Sequence, residues 1–189
     1  MYSAADLKKG LKIEIEGVPY TVTEFEFCKP GKGTALYRCR LKNLVTGSTM
    51  ERTFRPVDKM DVPNLEERVM FYSYHDGNNY IFSDSETFEE VHISAEYLGN
   101  KTYFLSDNME CNVLFFNGKP IDITLPTFIV RVIAETEPGA RGDTASSNVQ
   151  KPAKLDNGYE LTVPLFINQG DTVKVDTRTG LYAERVSKG

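Results

Sequence analysis

Two runs decide the reading of this chain: Tyr20-Thr21-Val22-Thr23-Glu24-Phe25-Glu26-Phe27 and Ala35-Leu36-Tyr37-Arg38-Cys39-Arg40-Leu41-Lys42. Each alternates, or nearly alternates, between apolar and polar side chains, which is the period of a half-buried strand. In the second run Ala35, Tyr37, Cys39 and Leu41 fall on one face and Leu36, Arg38, Arg40 and Lys42 on the other. Between the runs stands Lys29-Pro30-Gly31-Lys32-Gly33-Thr34. Pro30 fixes its own backbone angle, while Gly31 and Gly33 admit conformations closed to other residues. Lys32 has no bulky neighbour, so its amine should project from the tip of the loop. Three residues per side beyond a sheet edge would put that tip roughly 10 Å clear of the sheet. A phosphate-cradling P-loop is excluded, because that pattern needs a glycine where Glu26 stands and a hydroxyl where Gly33 stands.

The same period recurs on both sides. Lys12 to Glu16 precedes the first run across the turn Gly17-Val18-Pro19. Val69 to Tyr74 and Tyr80 to Ser83 flank Asp76-Gly77-Asn78-Asn79, a hairpin expected to turn on Asp-Gly. Asn112 to Phe116 and Pro120 to Leu125 flank Asn117-Gly118-Lys119 as another hairpin. Phe128 to Glu135, Tyr159 to Pro164, Asp171 to Asp176 and Tyr182 to Val186 are further strands. Helix is scarce: Ser94–Gly99 is expected to form one capped turn or two, with Ser94 as N-cap and Gly99 as terminator. Short strands at this spacing predict small barrels or sandwiches rather than an α/β enzyme.

Pro63 and Pro126 punctuate the chain into segments 1–62, 63–126 and 127–189. Charge follows the same cuts. Lys and Arg against Asp and Glu number 11 to 8, 3 to 11 and 8 to 8, so a phosphate-rich partner would meet the first segment and be repelled by the second. Over all 189 residues, 40% hydrophobic and 26% charged content is that of an ordinary folded protein. The longest uncharged stretch, Leu161–Gly170, is ten residues long and contains Pro164, against about 20 for a membrane-spanning helix. Met1–Asp6 has no apolar core resembling a secretory signal, so a cytoplasmic location and no membrane partner are expected.

Cys28, Cys39 and Cys111 form no Cys-x-x-Cys pair and are expected as reduced, mostly buried thiols. His75 and His92 lie in no metal-ligating spacing. No metal, no cofactor and no catalytic residues are therefore expected.

The run Phe27–Ala35, followed by the basic strand and Arg52-Thr53-Phe54-Arg55, resembles the first domain of bacterial elongation factor P. A second match is independent of it. Lys151-Pro152-Ala153, Gly158 to Ile167, Gly170-Asp171 and Val175 to Arg185 are similar to the C-terminal signature of the same family. The middle matches mainly through Glu86-Thr87-Phe88-Glu89 and Asn117-Gly118-Lys119-Pro120-Ile121. Cys28 stands where valine is frequent in the family, and Asp156-Asn157 replaces its commoner Glu-Thr.

The resemblance implies an all-β chain of three small barrels, an SH3-like (KOW-like) barrel over 1–62 and OB-type barrels over 63–126 and 127–189, in an L-shaped, tRNA-like arrangement. It implies a translation factor, not an enzyme, that binds the ribosome between the peptidyl-tRNA and exit sites and relieves stalling at consecutive prolines. Its partners would be the ribosome, the P-site peptidyl-tRNA, the exit-site mRNA codon and a lysine-modifying enzyme, with the factor itself monomeric. By position the modified lysine is Lys32, in the tip loop Lys29, Pro30, Gly31, Lys32, Gly33 and Thr34. RNA contacts are assigned to Arg38, Arg40 and Lys42 on the outward strand face. In the third segment they fall to the loop Gly142-Asp143-Thr144 and to Tyr182 and Arg185. Two alternatives stand beside this reading: a general single-stranded-RNA-binding OB protein, and a paralogue serving fewer stalling motifs. Aromatic platforms in a basic groove would favour the first. Here the aromatics concentrate in the most acidic segment instead.

Overall fold

The computed structural model describes residues 1–139 and 149–189. The first strands in chain order are β1 (Tyr2–Ser3), β2 (Lys12–Ile15), β3 (Val18–Cys28), β4 (Leu36–Asn43), β5 (Thr49–Phe54) and β6 (Lys59–Met60). They form a four-stranded sheet in the order β2-β3-β4-β5 and a small β1-β6 ladder. Next come β7 (Leu65–Asp76), β8 (Asn79–Asp84), β9 (Glu90–Ser94), β10 (Glu110–Phe116) and β11 (Lys119–Thr124), joined in the order β11-β10-β7-β8-β9. Last are β12 (Phe128–Thr136), β13 (Gln150–Leu155), β14 (Glu160–Pro164), β15 (Thr172–Asp176) and β16 (Tyr182–Ser187), in the order β14-β13-β12-β15-β16. Two compact units divide the chain: residues 1–68 with 113–123, and residues 69–112 with 124–189.

In the first unit, Ile13, Val22, Cys39, Leu41, Phe54 and Met60 build one core together with Ala4 and Leu7. The near-alternation of β3 has a definite cause. Its register against β4 shifts between Val22 and Glu24, so Val22, Phe25 and Phe27 oppose Leu41, Cys39 and Tyr37 in turn. One bulged residue thus keeps all three apolar side chains on a single face, as a strict alternation could not. Thr23, inside the shift, donates its hydroxyl to the Arg40 carbonyl at 3.1 Å.

The 76–79 hairpin turns on Gly77-Asn78 rather than on Asp76-Gly77. Asp76 pairs with Asn79 in the ladder, and Gly77 holds φ +58° at the first central position, where a type II′ turn wants glycine. The expected helical turn is present as α1 (Ala95–Leu98): Ser94 Oγ accepts the Tyr97 N–H at 3.2 Å, and Gly99 ends the helix at φ +56°. Cys28, Cys39 and Cys111 are free thiols, and burial, with help from Glu110, pushes Cys111 up to about 12.

The second unit carries a core of Ile133, Leu155, Val163, Ile167, Val173 and Val175, all but sealed from solvent. Asp171 lies among them, buried, and is satisfied by the Asn168 N–H at 2.8 Å, the Gly189 N–H at 2.9 Å and the Arg185 guanidinium at 3.7 Å. The two backbone donors, Asn168 first, and then the arginine hold its carboxyl below the usual carboxylate value. Because the folded value is depressed, this stabilisation is present above the unfolded value of about 3.9 and is lost as pH falls through the folded one. Asp171→Asn should therefore be less stable than the parent at pH 7. Its urea midpoint should fall less steeply on acidification below about pH 4, where the parent loses this contribution.

Candidate functional site

The β3–β4 ladder carries its pairing out to Cys28↔Leu36, and residues 29–35 bridge the two ends without further ladder. Lys29, Pro30, Gly31, Lys32, Gly33 and Thr34 are all exposed. Among the described residues Lys32 has no hydrogen-bond or ion-pair partner. Its two glycine neighbours differ. Gly33 holds φ +146°, a conformation that strains any L side chain, whereas Gly31 is outside that region, and a Cβ at either would meet only open space. Below the tip, Phe27 packs on Tyr37 with ring centroids 5.1 Å apart, and Phe25 stacks on Tyr37 at 6.1 Å. Phe27 nonetheless keeps 51% of its surface exposed, so the arm ends in a free cation above a bare aromatic edge.

Arg38, Arg40 and Lys42 are exposed on one face of β4, as the alternation requires. The register brings carboxylates to the same face. Glu26 is opposite Arg38, Glu24 and Glu51 flank Arg40, and Arg40 reaches both of the latter, at 3.4 and 3.2 Å. These glutamates are the residues that sequence reasoning passed over. They lie 11 to 16 positions from their arginine, so only the strand register pairs them. Exposed pairs of this kind are worth roughly 0.2–1 kcal/mol each, so a phosphate could displace them at modest cost. The face is mixed in charge rather than simply basic.

In the third segment Tyr182 is half-buried, and burial raises its hydroxyl pKa. Arg185 lies over the Phe166 ring at 5.1 Å and faces the buried Asp171. Its guanidinium is thus partly committed to structure, with 26% of the side chain left exposed. Gly142, Asp143 and Thr144 lie outside the described residues. Among the described residues no group of three or more His, Cys, Asp or Glu side chains could hold a metal ion.

Three family models match in chain order: the elongation factor P KOW-like domain over residues 3–60, its OB domain over 65–123 and the elongation factor P C-terminal domain over 129–185. Curated relatives span the full length. Elongation factor P of Desulfotalea psychrophila is 47% identical over 188 residues, covering 100% of both chains. That of Syntrophus aciditrophicus is 48% identical, covering 98% of this chain and 99% of its own. The chain belongs to the elongation factor P family.

Membership makes it a translation elongation factor built of three β domains, the first KOW-like and the second an OB domain. Among solved structures, translation initiation factor 5A from Methanococcus jannaschii shares the fold at TM-score 0.55 and 22% identity. That match covers 66% of this chain and 93% of that one. Within the family's KOW-like domain, the β3–β4 arm holds its exposed lysine beside a glycine at positive φ. Gly33→Ala should therefore impair translation-factor activity more than Gly31→Ala. Both variants should unfold within about 1 kcal/mol of the parent, since neither residue touches the core. Growth or reporter output beside denaturant melts checks this, and equal activity of the two alanine variants would show that the Gly33 geometry is dispensable.

Proposed function

We propose that this factor binds the ribosome between the peptidyl-tRNA and exit sites, and that it promotes peptide-bond formation at consecutive-proline stalls by positioning the P-site tRNA. The observation that carries the reading is the Lys32 amine, exposed and unpartnered at the glycine-flanked end of an arm braced by a core, in a chain of this family. Proline attacks as a secondary, conformationally restricted amine, so its reaction is sensitive to alignment. Ordering the acceptor end of the tRNA recovers rate through orientation, without a nucleophile or base from the factor. A narrow cationic arm suits that task.

In this reading Lys32 is extended by a lysine-modifying enzyme, and its exposure leaves the amine open to one. Arg38, Arg40 and Lys42 meet RNA phosphates, Arg40 by exchanging its two glutamate partners for phosphate oxygens. Tyr182 and the exposed part of Arg185 contact RNA from the third domain, and Gly142-Asp143-Thr144 meets the exit-site codon. The domains divide at 62/63 and 126/127, and the four-stranded, central and C-terminal sheets each fall within one of the resulting segments. The factor acts as a monomer in the cytoplasm.

Lys32→Ala should abolish rescue of a consecutive-proline reporter. Its unfolding free energy should stay within about 0.5 kcal/mol of the parent's, because an exposed loop side chain gives up no packing. Intact mass of the parent purified from its host should exceed the sequence mass, and the excess should be missing from the variant. Full rescue by the variant would reduce Lys32 to a solvated turn residue.

A further inference from the structure

The first unit presents a second cationic feature away from the tip. Lys8-Lys9-Gly10-Leu11 forms a tight turn: the Leu11 N–H donates to the Lys8 carbonyl at 3.2 Å, and Gly10 takes φ +91° at the third position. Two more bonds pin the turn to β3, Gly10 N–H to the Val22 carbonyl at 2.7 Å and Val22 N–H to the Leu11 carbonyl at 2.9 Å. Val22 itself is buried in the core, so the turn has a rigid base. Lys12 follows at once as the first residue of β2. Together with Tyr2, Val62 and Leu65, the three lysines line an open cleft of about 470 Å³.

Charge in this cleft is uncompensated, unlike that of the β4 face. No carboxylate lines it, and among the described residues Lys8, Lys9 and Lys12 have no ion-pair partner. Three carboxylates nearby in sequence have other surroundings. Asp6 accepts the N–H and hydroxyl of Ser3, while Glu14 and Asp61 line a different cavity together with Arg52, Arg55 and Lys59. Holding three like charges at one site costs free energy in the isolated protein, and an anion relieves that cost.

We propose that the Lys8–Lys9–Lys12 cleft is an RNA-backbone site, distinct from the Lys32 tip, that grips consecutive phosphates. The assignment rests on the translation-factor reading for its choice of RNA. Lysine fits the task because its ammonium is a compact, rotatable charge that meets phosphate oxygens without reading bases. The half-buried ring of Tyr2 adds a surface on which a ribose or base can lie. A site of this kind sets where the factor sits and how fast it docks, while the tip acts at the end of the tRNA.

The test measures binding of the full chain to a fluorescein-labelled tRNA transcript by anisotropy, across a series of KCl concentrations. Replacing Lys8, Lys9 and Lys12 together by Gln should weaken binding at least ~10-fold near 0.1 M salt. It should also flatten the slope of log affinity against log salt by about 2, as expected for three phosphate contacts released. The matching triple Arg variant keeps the charge and should retain the parent slope. An unchanged slope in the Gln variant overturns the proposal, and so does an equal loss in the Arg variant, which would make packing the cause. Tighter binding of a labelled polyglutamate peptide than of tRNA would also overturn it, and would assign the cleft to an acidic protein. If the parent itself shows no salt-dependent tRNA binding, the proposal falls. Rescue of a consecutive-proline reporter, scored in parallel and dependent on Lys32, then tells whether the functional reading falls with it.

Discussion

The antiparallel ladder between β3 and β4 is the interaction on which the rest of the first unit depends. Toward its inner end Val22 faces Leu41 in the core, and at its outer end Cys28 faces Leu36 where pairing stops. Backbone hydrogen bonds of this kind contribute only about 0.5–1.5 kcal/mol each, so the stiffness of the arm is borrowed from the buried inner half. The bulge at Thr23 lets that loan reach the tip. It keeps Phe25 and Phe27 on the core-facing side, where they continue the apolar face through Tyr37. In the proposed reading the arm aligns a reactant, and such an arm must lose its freedom before the reactant arrives.

Electrostatics divide the cations of the first unit into committed and free ones. Arg40 is shared by two glutamates, Arg55 is held by Asp58 at 3.2 Å and Arg68 is paired with Glu66 at 3.1 Å. Lysines at the tip and in the 8–12 turn have no such partners among the described residues. The planar fork of arginine suits these carboxylate pairs, and the compact ammonium of lysine is the group left open at the tip and in the 8–12 turn. In the proposed reading, the unpaired lysines supply more of the attraction to RNA than the mixed-charge face of β4 does.

Much of this was legible from periodicity. Ala35–Lys42 alternates in the sequence and does so in the structure, with Cys39 and Leu41 buried and Arg38, Arg40 and Lys42 exposed. What escaped has physical causes. β5 and β9 are edge strands with one or two inward side chains each, so their composition is mostly polar and their period faint. β13 contains Pro152, which argues against a strand between two neighbours. The structure reconciles this because β12 ends at Thr136, opposite Ala153, so Pro152 pairs only toward β14. β1 and β6 are two residues long and carry no period at all. At the site, the tip lysine was readable because glycine and proline are local signals. The glutamates across from Arg38 and Arg40, and the wall that Val62 and Leu65 give the lysine cleft, are products of register and of chain return.

The central claim is that a braced β3–β4 arm delivers the Lys32 position to the acceptor end of a P-site tRNA. Site-specific photocrosslinking from position 32 on ribosomes stalled at consecutive prolines tests it most directly. The account requires the crosslink to fall on the 3′ end of the peptidyl-tRNA, and to vanish when the stall is absent. Crosslinks confined to ribosomal protein, or equal with and without the stall, would contradict it.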